Sequence, residues 1–171
     1  MELAEAEMKK YGIPFERYEA TRNENGVIGL LQTMKRLFCE CVENGYSRVL
    51  VFEDDVFFFD ESVNDTMSKA MQQVPPDFLY LFLGCNFIVQ PTRVTENILK
   101  VNGAYSTHAV LYTLECIRMI LPLLDQVLAY DIVLMQNIQG MGRTYCAYPM
   151  LASQRIGFCL NRASVFHNSK T

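Results

Sequence analysis

The chain has 171 residues, of which half are hydrophobic, and its formal net charge is −4. These values suit one folded domain and exclude an intrinsically disordered chain. Lys and Arg form no basic run, which argues against nucleic acid as a partner, because binding a duplex requires a basic face. No apolar stretch reaches the roughly 18 residues of a membrane span, and the N-terminus lacks a signal-sequence core. We therefore expect a cytoplasmic protein without a transmembrane segment, while peripheral membrane association stays open.

The first half of the chain predicts two helix–strand pairs and a third helix. The helix 27–44 has apolar residues every three or four positions and ends at Asn44-Gly45, a common C-terminal pair. The strand 48–52 is apolar on both faces, which is typical of a strand inside a covered sheet. In chain order the predicted elements are a helix over 1–11, a strand over 13–20, a helix over 27–44, a strand over 48–52 and a helix over 62–73.

The second half continues the alternation of strands and helices. Its predicted elements are a strand over 77–84, a loop-rich segment over 85–103, a strand over 104–113, helices over 114–124 and 131–139, and a strand over 143–151. From residue 161 no pattern is visible. Such alternation predicts an α/β fold, and the lack of a linker or repeat predicts a single domain over 1–171.

Six cysteines are present, and none of them forms a C-x-x-C pair. This spacing favours buried, reduced thiols over a metal or disulfide role. The six lie at positions 39, 41, 85, 116, 146 and 159.

Three consecutive carboxylates, Glu53, Asp54 and Asp55, interrupt the apolar stretch RVLVFEDDVFFFD. They follow the strand 48–52, and ligands of α/β sheets bind beyond the carboxyl ends of strands. In an extended chain Glu53 and Asp55 lie on the same side, where two carboxylates suit Mg²⁺ or Mn²⁺ bridging a diphosphate. The alternative is a solvated acidic turn.

Further segments around this motif occur in a distinctive order. They are MKKYGIPFERYEATR, GVIGLLQTMKRLFCECVENGYSRVLVFEDDV, FLYLFLGCN, NGAYSTHAVLY, YDIVLMQNIQ and YPMLASQ. As an ordered set they resemble glycosyltransferase family 25, which includes lipo-oligosaccharide and procollagen galactosyltransferases. The resemblance implies a GT-A-like α/β fold with a mixed, mostly parallel sheet and a D-x-D-type motif.

The same resemblance implies an activity. A hexose, with galactose the first candidate, passes from a UDP-sugar to a saccharide acceptor in bacterial lipopolysaccharide biosynthesis. Glu53 takes the first motif position, near the ribose and the metal, with Asp54 beside it at the nucleotide sugar. Asp55 takes the last position as the direct ligand of Mn²⁺ or Mg²⁺.

Asp131 is the expected catalytic base, because the family has an acid at the matching position and inverting transfer needs a carboxylate to take the acceptor proton. The alternative is that Asp131 is only the N-terminal cap of its helix. A late histidine often binds the metal in GT-A enzymes, which makes His167 a further candidate.

The resemblance extends to the substrate pocket. His108 lies in the quoted block NGAYSTHAVLY and is expected to face the substrate, with a satisfied core histidine as the alternative. Asn86 and Gln154 are candidates for hydrogen bonds to sugar hydroxyls, and Tyr105 and Tyr112 for stacking on a sugar ring.

Family members begin with an apolar strand that helps to hold the nucleotide, whereas this chain starts on the helix after it. By this resemblance the chain is either a fragment of a longer protein or an N-terminally shortened relative with weak or absent activity, and it is expected to bind UDP-sugars weakly. Two other hypotheses remain open from the sequence: a non-catalytic relative that binds a glycan or protein, and a Mg²⁺-dependent α/β phosphoryl-transfer domain.

Overall fold

The computed structural model describes residues 2–155 and 165–168, and these ranges contain five α-helices and twelve strands. The helices are α1 (Glu2–Lys10), α2 (Gly26–Glu43), α3 (Val63–Gln73), α4 (Leu114–Ile120) and α5 (Tyr130–Asn137). The strands are β1 (Glu16–Tyr18), β2 (Arg48–Phe52), β3 (Val56–Phe58), β4 (Tyr80–Phe82), β5 (Asn86–Phe87), β6 (Thr92–Arg93), β7 (Ile98–Lys100), β8 (Ala104–Tyr105), β9 (Ala109–Thr113), β10 (Thr144–Ala147), β11 (Ala152–Gln154) and β12 (Val165–Asn168). Short 3₁₀ turns follow α4 and α5 at Leu121–Leu123 and Gln139–Met141.

Eight of the described strands form one mixed sheet in the order β1-β12-β2-β9-β4-β10-β7-β6. Among the described strand pairs only β4 and β10 are parallel. The α/β prediction is confirmed, but the expectation of a mostly parallel sheet is wrong. The reason is β9, which runs antiparallel between β2 and β4 and keeps these two like-directed strands apart.

The sheet is covered on both faces by hydrophobic side chains. Along β2, Val49 and Val51 belong to a cluster with residues of α2, α4 and α5, whereas Phe52 belongs to a second cluster with residues of α1 and α3. Because successive side chains of a strand point to opposite faces, a strand covered on both faces is apolar throughout. The prediction that β2 lies inside a covered sheet is confirmed.

The predicted helices form with small shifts at their ends. Asn25 caps α2 by accepting a hydrogen bond from the Val27 N–H group, and Gly45 follows its end at φ +69°. This left-handed conformation suits glycine, which explains why Asn44-Gly45 ends the helix. None of the described helices combines the length and hydropathy that a membrane crossing requires.

Several features differ from the sequence-based expectations, among them the predicted strand 104–113, which is divided into β8 and β9. The segment 85–103 contains the short strands β5, β6 and β7 rather than loop alone. Residues 165–168 of the patternless tail form β12, which pairs with β1 and β2, while 156–164 and 169–171 lie outside the described residues. Of the five described cysteines, which are all free thiols, four are buried as expected but Cys39 is exposed.

Candidate functional site

The candidate site lies at the edge of the sheet where β2 and β4 end and β9 begins. The Glu53 N–H group donates to the His108 carbonyl oxygen at 2.9 Å, and the Leu83 N–H group donates to the Ala109 carbonyl oxygen at 2.9 Å. These bonds extend the pairing just beyond the strands. The acidic residues after β2 are thereby placed beside the residues that precede β9.

A cavity of about 200 Å³ opens at this edge. It brings together three of the predicted site residues, Glu53, Asp131 and Gln154, which come from distant parts of the chain. Its lining consists of Gly26, Val27, Leu30, Glu53, Ser106, Thr107, Ala129, Tyr130, Asp131 and Gln154. The first three belong to the start of α2, and Tyr130 and Asp131 to the start of α5.

Glu53 is the most perturbed acid of the site. Burial raises the pKa of Glu53 to about 7, and the negative charges of Asp55, Asp131 and Asp54 add to this. The hydroxyl of Thr107 opposes the shift by donating to Glu53 Oε1 at 2.7 Å. A carboxyl group whose pKa lies near neutrality in a cleft is typical of sites for catalysis or cation binding.

The acidic stretch forms a tight turn rather than an extended strand. The Val56 N–H group donates to the Glu53 carbonyl oxygen at 3.2 Å, so the predicted side-by-side arrangement of Glu53 and Asp55 along a strand is wrong. Asp55 Oδ2 instead accepts a hydrogen bond from Gln154 Nε2 at 3.3 Å, behind the cavity. Asp54 is half-buried, and burial raises its pKa.

The fit of a divalent cation depends on Asp55. Its second oxygen, Oδ1, is buried and has no hydrogen-bond partner among the described residues. Within those residues no group of three His, Cys, Asp or Glu side chains is arranged to hold a metal. A cation that takes one or two carboxylates from the protein and further oxygens from a substrate fits this donor set.

Asp131 is the second residue of α5 and lines the cavity. The N-cap position belongs to Ala129, so the alternative that Asp131 is the cap residue is wrong. Asp131 Oδ1 accepts a hydrogen bond from the adjacent Ile132 N–H group at 2.9 Å, and a negative charge is favourable in the first turn of a helix. Its role as catalytic base stays a prediction.

The remaining predicted residues lie around the cavity at different depths. Asn86 is exposed and donates from Nδ2 to Ser106 Oγ at 2.7 Å, whereas Tyr105 is half-buried and pairs with Asn86 between β8 and β5. His108 is only 2% exposed, is not among the cavity's lining residues, and has Nε2 at 3.3 Å from the Ala152 carbonyl oxygen.

Tyr112 does not lie where a sugar could reach it, and the side chain of His167 lies outside the described residues. Tyr112 is fully buried in the core, so the prediction that it stacks on a sugar ring is wrong. His167 lies in β12, where its backbone pairs with Glu16 and Val51, but its side chain is not among those described.

Sequence reasoning missed Ser106, Thr107 and Gly84. Ser106 has a φ of +74°, a left-handed conformation that is costly outside glycine and concentrates at functional sites. Gly84 lies under Ala152, whose carbonyl oxygen would overlap with a side chain at this position. Thr107 stands beside His108 in the sequence and could have been found from that position, whereas nothing in the local sequence marks Ser106.

A second missed feature is an ion pair that connects the site to α1. Arg155 Nη2 lies 2.8 Å from Glu7 Oε2, and the Arg155 N–H group donates to the Asp55 carbonyl oxygen at 2.8 Å. Glu7 Oε1 also accepts from the Phe58 N–H group at 2.9 Å. Arg155 therefore holds the chain at Asp55, and Glu7 holds it at Phe58, just after the acidic turn.

Comparison with models of known protein families and with curated proteins finds no match for this chain. Chemical interpretation of the site therefore rests on its own residues. They combine two carboxyl groups, an amide and the hydroxyls of Ser106 and Thr107 around one small cavity, and the amide of Gln154 bonds to a third carboxylate, that of Asp55.

Proposed function

We propose that the protein is a metal-dependent glycosyltransferase of the family-25 kind, which transfers a hexose from a UDP-sugar to a saccharide acceptor of bacterial surface polysaccharide. One observation carries this proposal. Glu53, Asp131 and Gln154, which are distant in the sequence, line one cavity at the end of β2. This is the edge of an α/β sheet at which ligands bind.

The size of the cavity supports a sugar as its occupant. Pockets for drug-sized ligands have volumes of about 300–1,000 Å³, so a cavity of about 200 Å³ suits one sugar ring rather than a whole nucleotide sugar. The hydroxyls of Ser106 and Thr107 can bond to the edges of a ring. On the α2 side Val27 and Leu30 present an apolar wall for its C–H face.

In the proposed reaction Asp131 takes the proton of the acceptor hydroxyl as its oxygen bonds to the anomeric carbon. The bond between that carbon and the diphosphate breaks, and its electron pair leaves with UDP. When bound, the divalent cation neutralises charge on the leaving diphosphate. Gln154 holds Asp55 in position, and the Thr107 hydroxyl fixes the carboxyl group of Glu53.

The test is hydrolysis of UDP-galactose with Mn²⁺, measured as released UDP. Because general base catalysis contributes about 10²–10⁴-fold, Asp131→Asn should lower kcat by roughly this factor while the protein stays folded. Asp55→Asn should abolish the response to Mn²⁺. The matched control is Asp125→Asn, since Asp125 is an exposed acid paired with Lys35 and lies outside the cavity lining.

Three other outcomes would contradict the proposal. UDP-galactose binding without hydrolysis by the wild-type protein would favour a non-catalytic relative. Hydrolysis of phosphoesters but not of nucleotide sugars would favour a phosphoryl-transfer domain. Equal loss of activity in Asp125→Asn and Asp131→Asn would remove the assigned role of Asp131.

A further inference from the structure

Two of the three phenylalanines that follow the acidic turn point out of the protein. Phe58 is buried, whereas Phe57 is half-buried and Phe59 is 55% exposed. Because successive side chains of a strand point to opposite faces, Phe57 and Phe59 lie together on the outer side of β3. Their ring centroids are 5.5 Å apart and their planes are inclined by 81°. This phenyl pair, Phe57 and Phe59, forms an aromatic corner that is open to a ligand.

Polar groups border the phenyl pair. Ser153 is the partner of Phe57 in the pairing of β11 with β3, so its partly exposed side chain lies on the same face. The guanidinium carbon of Arg155 lies 5.7 Å from the centroid of the Phe57 ring. One N–H group of Arg155 donates to Glu7 Oε2, and the guanidinium group carries further N–H groups. Exposed apolar surface with a polar rim is typical of a binding site.

The phenyl pair is close to the cavity. Gln154 lines the cavity and follows Ser153, and consecutive Cα atoms are about 3.8 Å apart. Ser153 pairs with Phe57, and paired Cα atoms are separated by roughly 5 Å. The Cα atoms of Gln154 and Phe57 are therefore within about 10 Å of each other. Their side chains point to opposite faces of the two strands, so a ligand that contacts both passes around the acidic turn, where this pair of strands ends.

The charges around the phenyl pair restrict its occupant. Asp54 precedes the pair, and the exposed acids Asp60 and Glu61 follow it. The faces of aromatic rings are also electronegative. These groups repel an anionic lipid surface or a nucleic acid, whereas the C–H groups of a pyranose ring are uncharged and slightly electropositive. Such a ring can stack on a phenyl face while its hydroxyls bond to groups like those of Ser153 and Arg155.

We propose that Phe57 and Phe59 form a second saccharide subsite, which binds a pyranose ring of the acceptor outside the cavity. The inference deepens the proposed function and rests on it for the choice of a saccharide. The cavity of about 200 Å³ suits one sugar ring, so the other rings of an acceptor chain must lie on the surface beyond it. A chain of several sugars therefore gains contacts with the phenyl pair that a single sugar lacks.

The experiment compares the binding of methyl β-galactoside and of β-1,4-galactotetraose to the full chain by isothermal titration calorimetry. The single sugar occupies the cavity alone, whereas the tetrasaccharide reaches both the cavity and the phenyl pair. The wild type should bind the tetrasaccharide about tenfold more tightly. Phe59→Leu removes the ring but keeps an apolar side chain at this exposed position. It should lose most of this preference while its affinity for methyl β-galactoside stays unchanged.

Tyr148→Leu is the matched control. Tyr148 is another exposed aromatic residue beside an arginine, because the guanidinium carbon of Arg93 lies 4.8 Å from its ring centroid. It lies near the start of β7, where its backbone bonds to Asn97, and it is not among the lining residues of the cavity. This variant should keep the preference of the wild type for the tetrasaccharide.

Several results would overturn the inference. They are equal affinity of the wild type for the two ligands, an unchanged preference in Phe59→Leu, an equal loss in Tyr148→Leu, and no tetrasaccharide binding at millimolar concentration. Binding to phosphatidylglycerol vesicles or to a lysine-rich peptide that depends on Phe59, without a preference for the tetrasaccharide, would assign the phenyl pair to a membrane or a protein instead.

The two proposals can fail separately. Hydrolysis of UDP-galactose without a preference for the tetrasaccharide would leave the transferase standing and remove this subsite. A preference that depends on Phe59, but without hydrolysis of any nucleotide sugar, would uphold the subsite and contradict the transferase.

Discussion

The centre of the sheet and its ligand-facing edge differ in how well their groups are matched to their surroundings. In β2, β9 and β4, most side chains are apolar and belong to two hydrophobic clusters, and the backbone groups pair between strands, although the hydroxyls of Tyr80 and Tyr112 are buried there without a partner among the described residues. At the edge, Glu53 has a raised pKa, Ser106 has a positive φ, and Asp55 and His108 each have an unpaired buried atom. Each of these edge features is unfavourable in the free protein.

The contrast indicates where stability and function lie. Strained backbone and perturbed acids persist only where well-packed surroundings hold them in place. The central strands supply that support, and the edge uses part of their stability to keep polar groups ready for a ligand. Substitutions at the edge should therefore fall into two groups. Some disturb the packing that supports the site and destabilise the protein, whereas others remove an unfavourable feature of the site and stabilise it.

The largest effect is expected for Gly84→Ala, which disturbs the packing between Gly84 and Ala152. The new methyl group would overlap with the Ala152 carbonyl oxygen, a backbone atom that cannot rotate away. Overpacking of this kind should lower the free energy of unfolding by about 3 kcal/mol, measured by urea denaturation. It should also weaken Mn²⁺ binding, since Gln154 of β11 bonds to Asp55, the proposed metal ligand.

Gly140→Ala is the control for this substitution. A methyl group at Gly140 meets nothing within 4 Å, and the residue is exposed. Its free energy of unfolding should stay within about 0.5 kcal/mol of the wild type. Equal destabilisation by both substitutions would contradict the role of the close approach at Gly84.

A smaller effect of opposite sign is expected for Glu53→Gln, which relaxes the site. The pKa of Glu53 is about 7 in the folded protein, whereas the unfolded chain loses this proton near 4.5, the ordinary pKa of a glutamate. Wild-type stability should therefore fall as the pH rises from about 4.5 through 7. Glutamine can still accept a hydrogen bond from Thr107, so the variant should be about 1–2 kcal/mol more stable at pH 8. This gain is smaller than the whole pKa shift would give, because solvent partly screens the charge of Glu53.

Denaturation at several pH values between 4.5 and 8 measures this effect. Glu115→Gln provides a contrast, because the hydrogen bond from Arg143 lowers the pKa of Glu115. The contribution of Glu115 is lost as the pH falls, which is the reverse of Glu53. If the Glu53→Gln variant is less stable than the wild type at pH 8, the ionised side chain of Glu53 does not destabilise the folded protein.

The smallest effect is expected at Ser106. Both Ser106→Gly and Ser106→Ala lose the hydrogen bond from Asn86, but only glycine relieves the strain of φ +74°. Ser106→Gly should therefore exceed Ser106→Ala by about 1 kcal/mol in the free energy of unfolding. Equal stabilities of the two variants in urea would show that the backbone at 106 is not strained.

The sequence predicts most local elements because they depend on periodicity and on residues at helix ends. The helix over 27–44 follows from its apolar spacing and Gly45, and β2 from its two apolar faces. The order of strands does not follow, because β9 looks the same whether it lies at an edge or between β2 and β4. Its place depends on long-range pairing, for which the local pattern carries no information.

The features of the site were likewise predictable from the sequence only in part. The acids Glu53 and Asp55 stand out because charges interrupt an apolar run, and their position after a strand predicts the correct edge. The turn that separates them could not be predicted, since it depends on hydrogen bonds with Gln154 and Arg155. Tyr112 was misplaced because an aromatic ring has the same pattern whether it faces a ligand or the core.

The crossing of β11 over the end of β4 has a consequence for the order of folding. The Leu151 N–H group donates to the Leu83 carbonyl oxygen at 2.7 Å, which joins residues 68 positions apart in the sequence. Closing so long a loop is costly in entropy, so we expect the polar edge to form late and to open early when the native state unfolds partially. A ligand that bridges the edge would close the last segment to form, and its binding energy would stabilise the whole domain by mass action.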